Sequence, residues 1–190
     1  NQTAEHLIQQ VQIAAQAPTR SYQFQNVGAI ANRGVELEGG VRWNRVRVNG
    51  LLYFVSSEVT RLAPKYSGEL KPGDQLLEVP STVGSISVRY DGGRWSAEVG
   101  GSWLGPWVGY DWIAVQQVVD GQAPARGALR NYWLDYPGVF RPYLAGSMGL
   151  GPRLIAFARM ENPGNNGAFI RDNISPPLGR TTVFGIELTP

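Results

Sequence analysis

The chain of 190 residues has no cysteine, one histidine (His6), two lysines (Lys65 and Lys71) and two methionines. Without cysteine it can hold no disulfide and no thiolate metal site. A lone His leaves nothing from which to build a Ser-His-Asp triad or a His-cluster metal centre. There is no Gly-x-Ser-x-Gly elbow and no phosphate-cradling glycine loop, since "GSMGLG" from Gly146 has the wrong spacing. The residues therefore point away from an enzyme, and no cofactor is expected. Charge is also scarce. Charged side chains make up 17% of the chain, against about 25% in an ordinary soluble domain. The net charge is +2, and no Lys/Arg cluster stands out, so no nucleic-acid partner is expected. Long apolar runs are missing too. The longest is "LLYFV" from Leu51 to Val55, far short of the ~20 residues that a spanning helix requires. The opening stretch "NQTAEHLIQQ" has neither a basic nor an apolar leader region, so no signal peptide is expected there. Any membrane is crossed by strands.

What the chain does have is glycine, aromatics and alternation. It carries 24 Gly, six Trp and eight Tyr, a composition poor for helices and good for strands. From Val35 to Trp43 the apolar Val35, Leu37, Val41 and Trp43 alternate with Glu36, Glu38 and Arg42. Period-2 patterning places these sets on opposite faces of a strand. The pattern recurs in "GSISVRY" (Gly84 to Tyr90), "RWSAEVGGSWL" (Arg94 to Leu104), Leu144 to Leu150 and "TVFGIEL" (Thr182 to Leu188). It is less clean over Val46 to Phe54 and Leu154 to Met160, where both faces carry apolar residues. With a first strand near Leu7 to Ile13, the expected fold is all-β, an antiparallel meander of about eight strands.

The separators alternate in length. Asn44, Asp91 to Gly93 and Gly149 to Arg153 mark tight turns; Ser57 to Pro80, Gly105 to Arg130 and Asn162 to Gly179 mark long connections. Successive antiparallel connections fall at opposite ends of a sheet, so one end has turns and the other long loops. Outer-membrane barrels have that asymmetry. Trp43, Tyr90 and Trp95 fall at the short-turn ends of apolar faces and Trp103 near the other end, as in an interfacial girdle. The expectation is apolar side chains in lipid, and Glu36, Glu38, Arg42, Arg89, Arg94 and Glu98 lining a wet lumen. The alternatives are a soluble all-β ligand-binding module with the apolar face buried, and a complete small eight-stranded outer-membrane barrel. Glu36 and Glu38 lie about 6–7 Å apart by strand rise, near a glycosidase spacing, but read as lumen carboxylates. "NIS" at Asn173 is a common chance match to a glycosylation acceptor. Trp107, Tyr110 and Trp112 in the long connection Gly105 to Arg130 are the candidate ligand-binding aromatics near the outer mouth.

Four segments carry a family resemblance. They are "NVGAIANRGVELEGGVRW" (with Asn26, Gly28, Arg33, Gly34, Val35 and Glu36), "LEVPSTVGSISVRYDGGRWS", "FARMENPGNN" and "PLGRTTVFGIEL". In this order and spacing they resemble the C-terminal part of the barrel of TonB-dependent outer-membrane receptors, from about Leu7 to Leu188. The resemblance implies an outer-membrane segment of a transporter that takes up a scarce ligand such as an iron–siderophore complex. It implies as partners outer-membrane lipid, the remaining strands of a barrel of about 22, a plug domain, and the TonB complex acting through an N-terminal part. Nothing in residues 1–190 matches the plug, so the whole chain reads as the C-terminal barrel portion. One departure is the ending Leu188-Thr189-Pro190, where the family commonly has a terminal aromatic. An isolated eight-strand piece would also leave two edges unpaired. In lipid that amounts to tens of kcal/mol, well above the ~5–15 kcal/mol of a domain's net stability.

Overall fold

The computed structural model describes residues 2–12 and 21–188. Ten strands are present among them: β1 (Gln2–Gln12), β2 (Tyr22–Trp43), β3 (Val46–Leu62), β4 (Thr82–Asp91), β5 (Trp95–Leu104), β6 (Trp107–Tyr110), β7 (Trp133–Tyr136), β8 (Val139–Gly151), β9 (Leu154–Glu161) and β10 (Thr181–Leu188). One helix, α1 (Trp112–Val119), and a 3-10 turn (Leu129–Tyr132) lie between β6 and β7. Eight strands make one antiparallel sheet in the order β1-β2-β3-β4-β5-β8-β9-β10, while β6 and β7 pair as a separate ribbon. Each strand of the large sheet follows its chain neighbour, as an antiparallel meander requires. The fold is all-β and forms part of a transmembrane barrel. The end of the expected first strand, at Ile13, lies outside the described residues, as do Thr189 and Pro190.

Turn chemistry fixes the short end. Residues 44–45, 92–94 and 152–153 join neighbouring strands. Asn44 takes φ 53° and Gly93 φ 87°, the left-handed region that Asn and Gly tolerate best. The long connections 63–81, 105–138 and 162–180 all emerge at the opposite end.

The ladders carry the alternation from strand to strand. Val41, Val48, Val88, Val99, Leu144 and Met160 stand abreast in register. One residue along, Arg42, Arg47, Arg89, Glu98, Ala145 and Arg159 stand abreast on the other face. The face that carries the first row is not sealed. Leu37 is 57% exposed, Val41 62% and Val99 49%. A soluble module with this face in its core would bury them. A closed eight-stranded barrel would join β1 to β10, and among the described residues no such ladder exists.

Two strands are much longer than a membrane demands. β2 has 22 residues and β3 has 17, against about 9–11 for a tilted spanning strand. The sequence pattern announces only the lower half of β2. Its upper half is interrupted by Gly28 at φ 129° and by a register shift between Ala29 and Ile30, which breaks the period of two.

Glycine also shapes the wall. A Cβ on Gly100 would stand 2.6 Å from the Tyr143 ring and 2.7 Å from the Ile86 carbonyl, so the hydroxyl end of the ring occupies the space that a side chain there would need. The sidedness is tested by paired substitutions in the full-length protein refolded into vesicles. Val99→Arg is expected to destabilise by about 2–4 kcal/mol in a urea titration, while Ser85→Arg, on the opposite face, costs little. The reverse order would overturn the assignment.

Candidate functional site

The polar face is held by side-chain contacts both along and between strands. Arg89 Nε donates to Asp91 Oδ1 at 2.8 Å, and its Nη1 lies 3.9 Å from Glu98 Oε2. Tyr143 Oη donates to Glu98 Oε1 at 2.5 Å. Arg159 sits 3.9 Å above the Tyr143 ring and donates to Glu161 at 2.5 Å. Glu36, Glu38, Arg42, Arg89 and Glu98 therefore share this face, with Glu36, Glu38 and Arg42 exposed. Arg94 falls in the 92–94 turn, its Nη2 3.5 Å from the Gly149 carbonyl. The sequence reading passes over Arg47, which faces Arg42 on one side and Arg89 on the other. Like charges directly opposite repel. Arg47 was legible in principle, because Arg42 and Arg47 stand equally far from the two-residue turn.

Compact packing occurs at the long-connection end. Val27, Ile30, Val59 and Leu70 are buried together, with Tyr66, Leu76, Leu77 and Trp133 against them. Ile30 and Val59 continue the faces of Glu36 and Ser57 by alternation, so the connection 63–81 folds over the polar face near the mouth. Backbone bonds pin it, with Val59 N donating to the Asp74 carbonyl at 2.9 Å and Leu76 N to the Ser57 carbonyl at 3.0 Å.

The stretch Gly105 to Arg130, read from sequence as an open loop, holds a small folded unit. Asp111 caps α1 by accepting from Ala114 N at 3.1 Å. Ala114 and Val115 pack on Leu129 and Tyr132. Trp107 and Tyr136 stack with ring centres 4.9 Å apart and planes 2° from parallel, and Tyr136 Oη donates to the Tyr110 carbonyl at 2.9 Å. The apolar residues that resemble ligand contacts in sequence are largely this unit's core. Trp107 is 5% exposed. Trp112 is half-buried, and its backbone N–H donates to Asn173 Oδ1 at 3.0 Å.

Two polar clasps join the three connections. Arg130 forms a bidentate pair with Asp74, at 2.6 and 2.8 Å, and lies 4.1 Å over the Trp133 ring. Asn173 Nδ2 donates to Asp111 Oδ1 at 2.7 Å, tying 162–180 to the helix cap. Between β1, 63–81 and 105–138 lies a cleft of about 600 Å³ lined by Gln9, Gln12, Tyr66, Ser67, Glu69 and Tyr110 among others. Of the three aromatics singled out from sequence, Tyr110 is the one that lines it. Burial pushes the Tyr110 hydroxyl up to about 12, so it stays protonated at neutral pH. The glutamines carry no motif, and sequence pattern alone gave no signal for them.

A family model described as TonB dependent receptor-like, beta-barrel, matches residues 2–141, well over half of the chain. A search of curated proteins found no match.

The Arg130 hydrogen bonds hold the Asp74 carboxyl below its ordinary value of 3.8. A depressed folded value stabilises the native state above the ordinary carboxylate range and is lost as pH falls through it. The clasp is therefore expected to be intact at neutral pH, to begin losing its contribution as pH falls past the ordinary carboxylate value of about 4, and to open only as pH falls through the lower value it has in the folded protein. Arg130→Ala should speed limited proteolysis of 63–81 and 105–138 at neutral pH about fivefold or more, with the barrel still heat-modifiable on gels. Arg130→Lys should restore little, because an ammonium lacks the guanidinium fork. Unchanged cleavage would show that the clasp contributes nothing.

Proposed function

This chain belongs to the TonB-dependent receptor-like β-barrel family, and we propose that it is the C-terminal wall and part of the outer mouth of an outer-membrane uptake receptor. The family is one of outer-membrane transporters. In this reading residues 1–190 are barrel, the apolar face meets lipid, and the cap built from the long connections faces outward. The ligand is a scarce small solute, of which an iron–siderophore chelate is one example. A plug domain occupies the lumen, and the TonB complex draws on that plug from the periplasm. The observation that carries the reading is the unsealed apolar face running in register from β2 to β9, with the compact packing among the described residues gathered at the long-connection end.

Fractionation of cells producing the full-length protein is expected to place it in the outer membrane, with heat-modifiable mobility and TonB-dependent uptake. A soluble parent protein would overturn the proposal.

The inner face suggests the plug's chemistry. Arg42, Arg47 and Arg89 stand side by side, about 4.8 Å between strands, and the partners described above, Asp91 and Glu98, belong to Arg89. An acidic plug segment seated there relieves the repulsion. Arg42→Glu with Arg47→Glu is expected to loosen the plug and raise sensitivity to a large antibiotic such as vancomycin, while the barrel still folds. Unchanged permeability in a folded double variant would refute an acidic seat.

A further inference from the structure

We infer that the three tight turns form an arginine collar that binds the phosphates of anionic phospholipids in the leaflet on the short-turn side. This goes beyond the uptake reading and rests on its membrane placement alone.

Charge is unevenly placed along the chain. Turns 44–45, 92–94 and 152–153 hold seven residues, three of which are Arg45, Arg94 and Arg153, and none of which is acidic. In each turn the arginine is the last residue before the next strand. The long connections 63–81, 105–138 and 162–180 are close to balanced, with six Lys or Arg against seven Asp or Glu. Excess positive charge therefore gathers at the short-turn end.

The three guanidinium groups are exposed and uncompensated. Asp91 borders the 92–94 turn, but Arg89 Nε takes it at 2.8 Å. Glu98 is shared by Tyr143 and Arg89, and Glu187 lies opposite Ile155 on the polar face of β9 and β10. Arg94 Nη2 reaches the Gly149 carbonyl at 3.5 Å. Neither Arg45 nor Arg153 forms an ion pair with a described residue. Arg42 and Arg47 face the lumen, so the collar is separate from the seat proposed for the plug.

Depth names the partner. Trp43 lies two residues before Arg45 and Trp95 directly after Arg94, both on the apolar face and 80% and 48% exposed. Tyr90 packs on Trp95 with ring centres 5.0 Å apart. Such rings sit at the headgroup level of a bilayer, so the turns just beyond them meet phosphate. Successive hairpins are two strands apart in the sheet, which spaces the arginines by about 10 Å along the rim. That spread suits separate lipid headgroups better than one compact acidic patch on a protein. A guanidinium pairs with phosphate through two parallel hydrogen bonds, and each basic side chain near an anionic leaflet gains about fivefold in affinity.

The test uses the full-length protein in detergent, titrated with phosphatidylglycerol or phosphatidylcholine, with bound lipids counted by native mass spectrometry. The wild type is expected to hold phosphatidylglycerol about tenfold or more tighter than phosphatidylcholine. Arg45→Gln, Arg94→Gln and Arg153→Gln combined should cut that preference about fivefold or more. Arg45→Lys, Arg94→Lys and Arg153→Lys combined should keep most of it, since charge at the rim is retained. Lys65→Gln, Lys71→Gln and Arg171→Gln combined, which remove the same charge at the long-connection end, should leave it unchanged. Heat-modified mobility checks that each variant folds. Equal retention of the two lipids, indifference to the triple glutamine change at the turns in folded protein, or an equal loss in the long-connection variant would overturn the proposal. So would a soluble anionic peptidoglycan fragment that binds the turns and is not displaced by phosphatidylglycerol. Those results would leave outer-membrane location and TonB-dependent uptake untouched, whereas a soluble parent protein would remove the transporter reading and the collar together.

Discussion

In hydrocarbon no water is available to a peptide group, so every N–H and C=O must find its partner within the protein. That constraint governs the chain. It explains the neighbour-to-neighbour meander, the turns of two or three residues at one end, and the absence of any helix in the wall. It also explains why side-chain packing is nearly dispensable there. The ladders hold the sheet, and lipid serves as the solvent for Val, Leu and Trp. A soluble domain that left Leu37 and Val99 about half open would forfeit about 25 cal/mol for each Å² so exposed. In a bilayer the same exposure is the stable arrangement.

Beyond the bilayer the rules revert. The upper halves of β2 and β3 enter water, and the chain there builds ordinary cores around Val27, Val59 and Tyr132. Charged and amide side chains become clasps between segments, as with Arg130 and Asp74 or Asn173 and Asp111. One sequence thus follows two sets of packing rules, and the change falls near Thr82, where β4 begins.

Sequence patterning makes the wall legible because its physics is local. Alternation in Val35 to Trp43 and in Arg94 to Leu104 follows from the strand's period of two, and loop lengths follow from the meander. Three things escape the pattern. Arg47 was missed because Leu51 and Tyr53 blur the polar face of β3. The upper part of β2 was missed because Gly28 and the shift at Ala29 break the period. The folded unit between β5 and β8 was missed because Trp107, Tyr110 and Trp112 look alike as letters. Only their three-dimensional neighbours separate a stacked core ring from one that lines a cleft.

The overlong hairpin of β2 and β3 has a mechanical corollary. Tyr66 and Glu69 follow directly on this hairpin, whereas Tyr110 is carried beyond β5, two strands along the sheet, and Asp74 with Arg130 is the latch between them. Any change in the girth of the barrel must therefore either strain that latch or prise it open. The vestibule acts as a gauge of the wall's circumference.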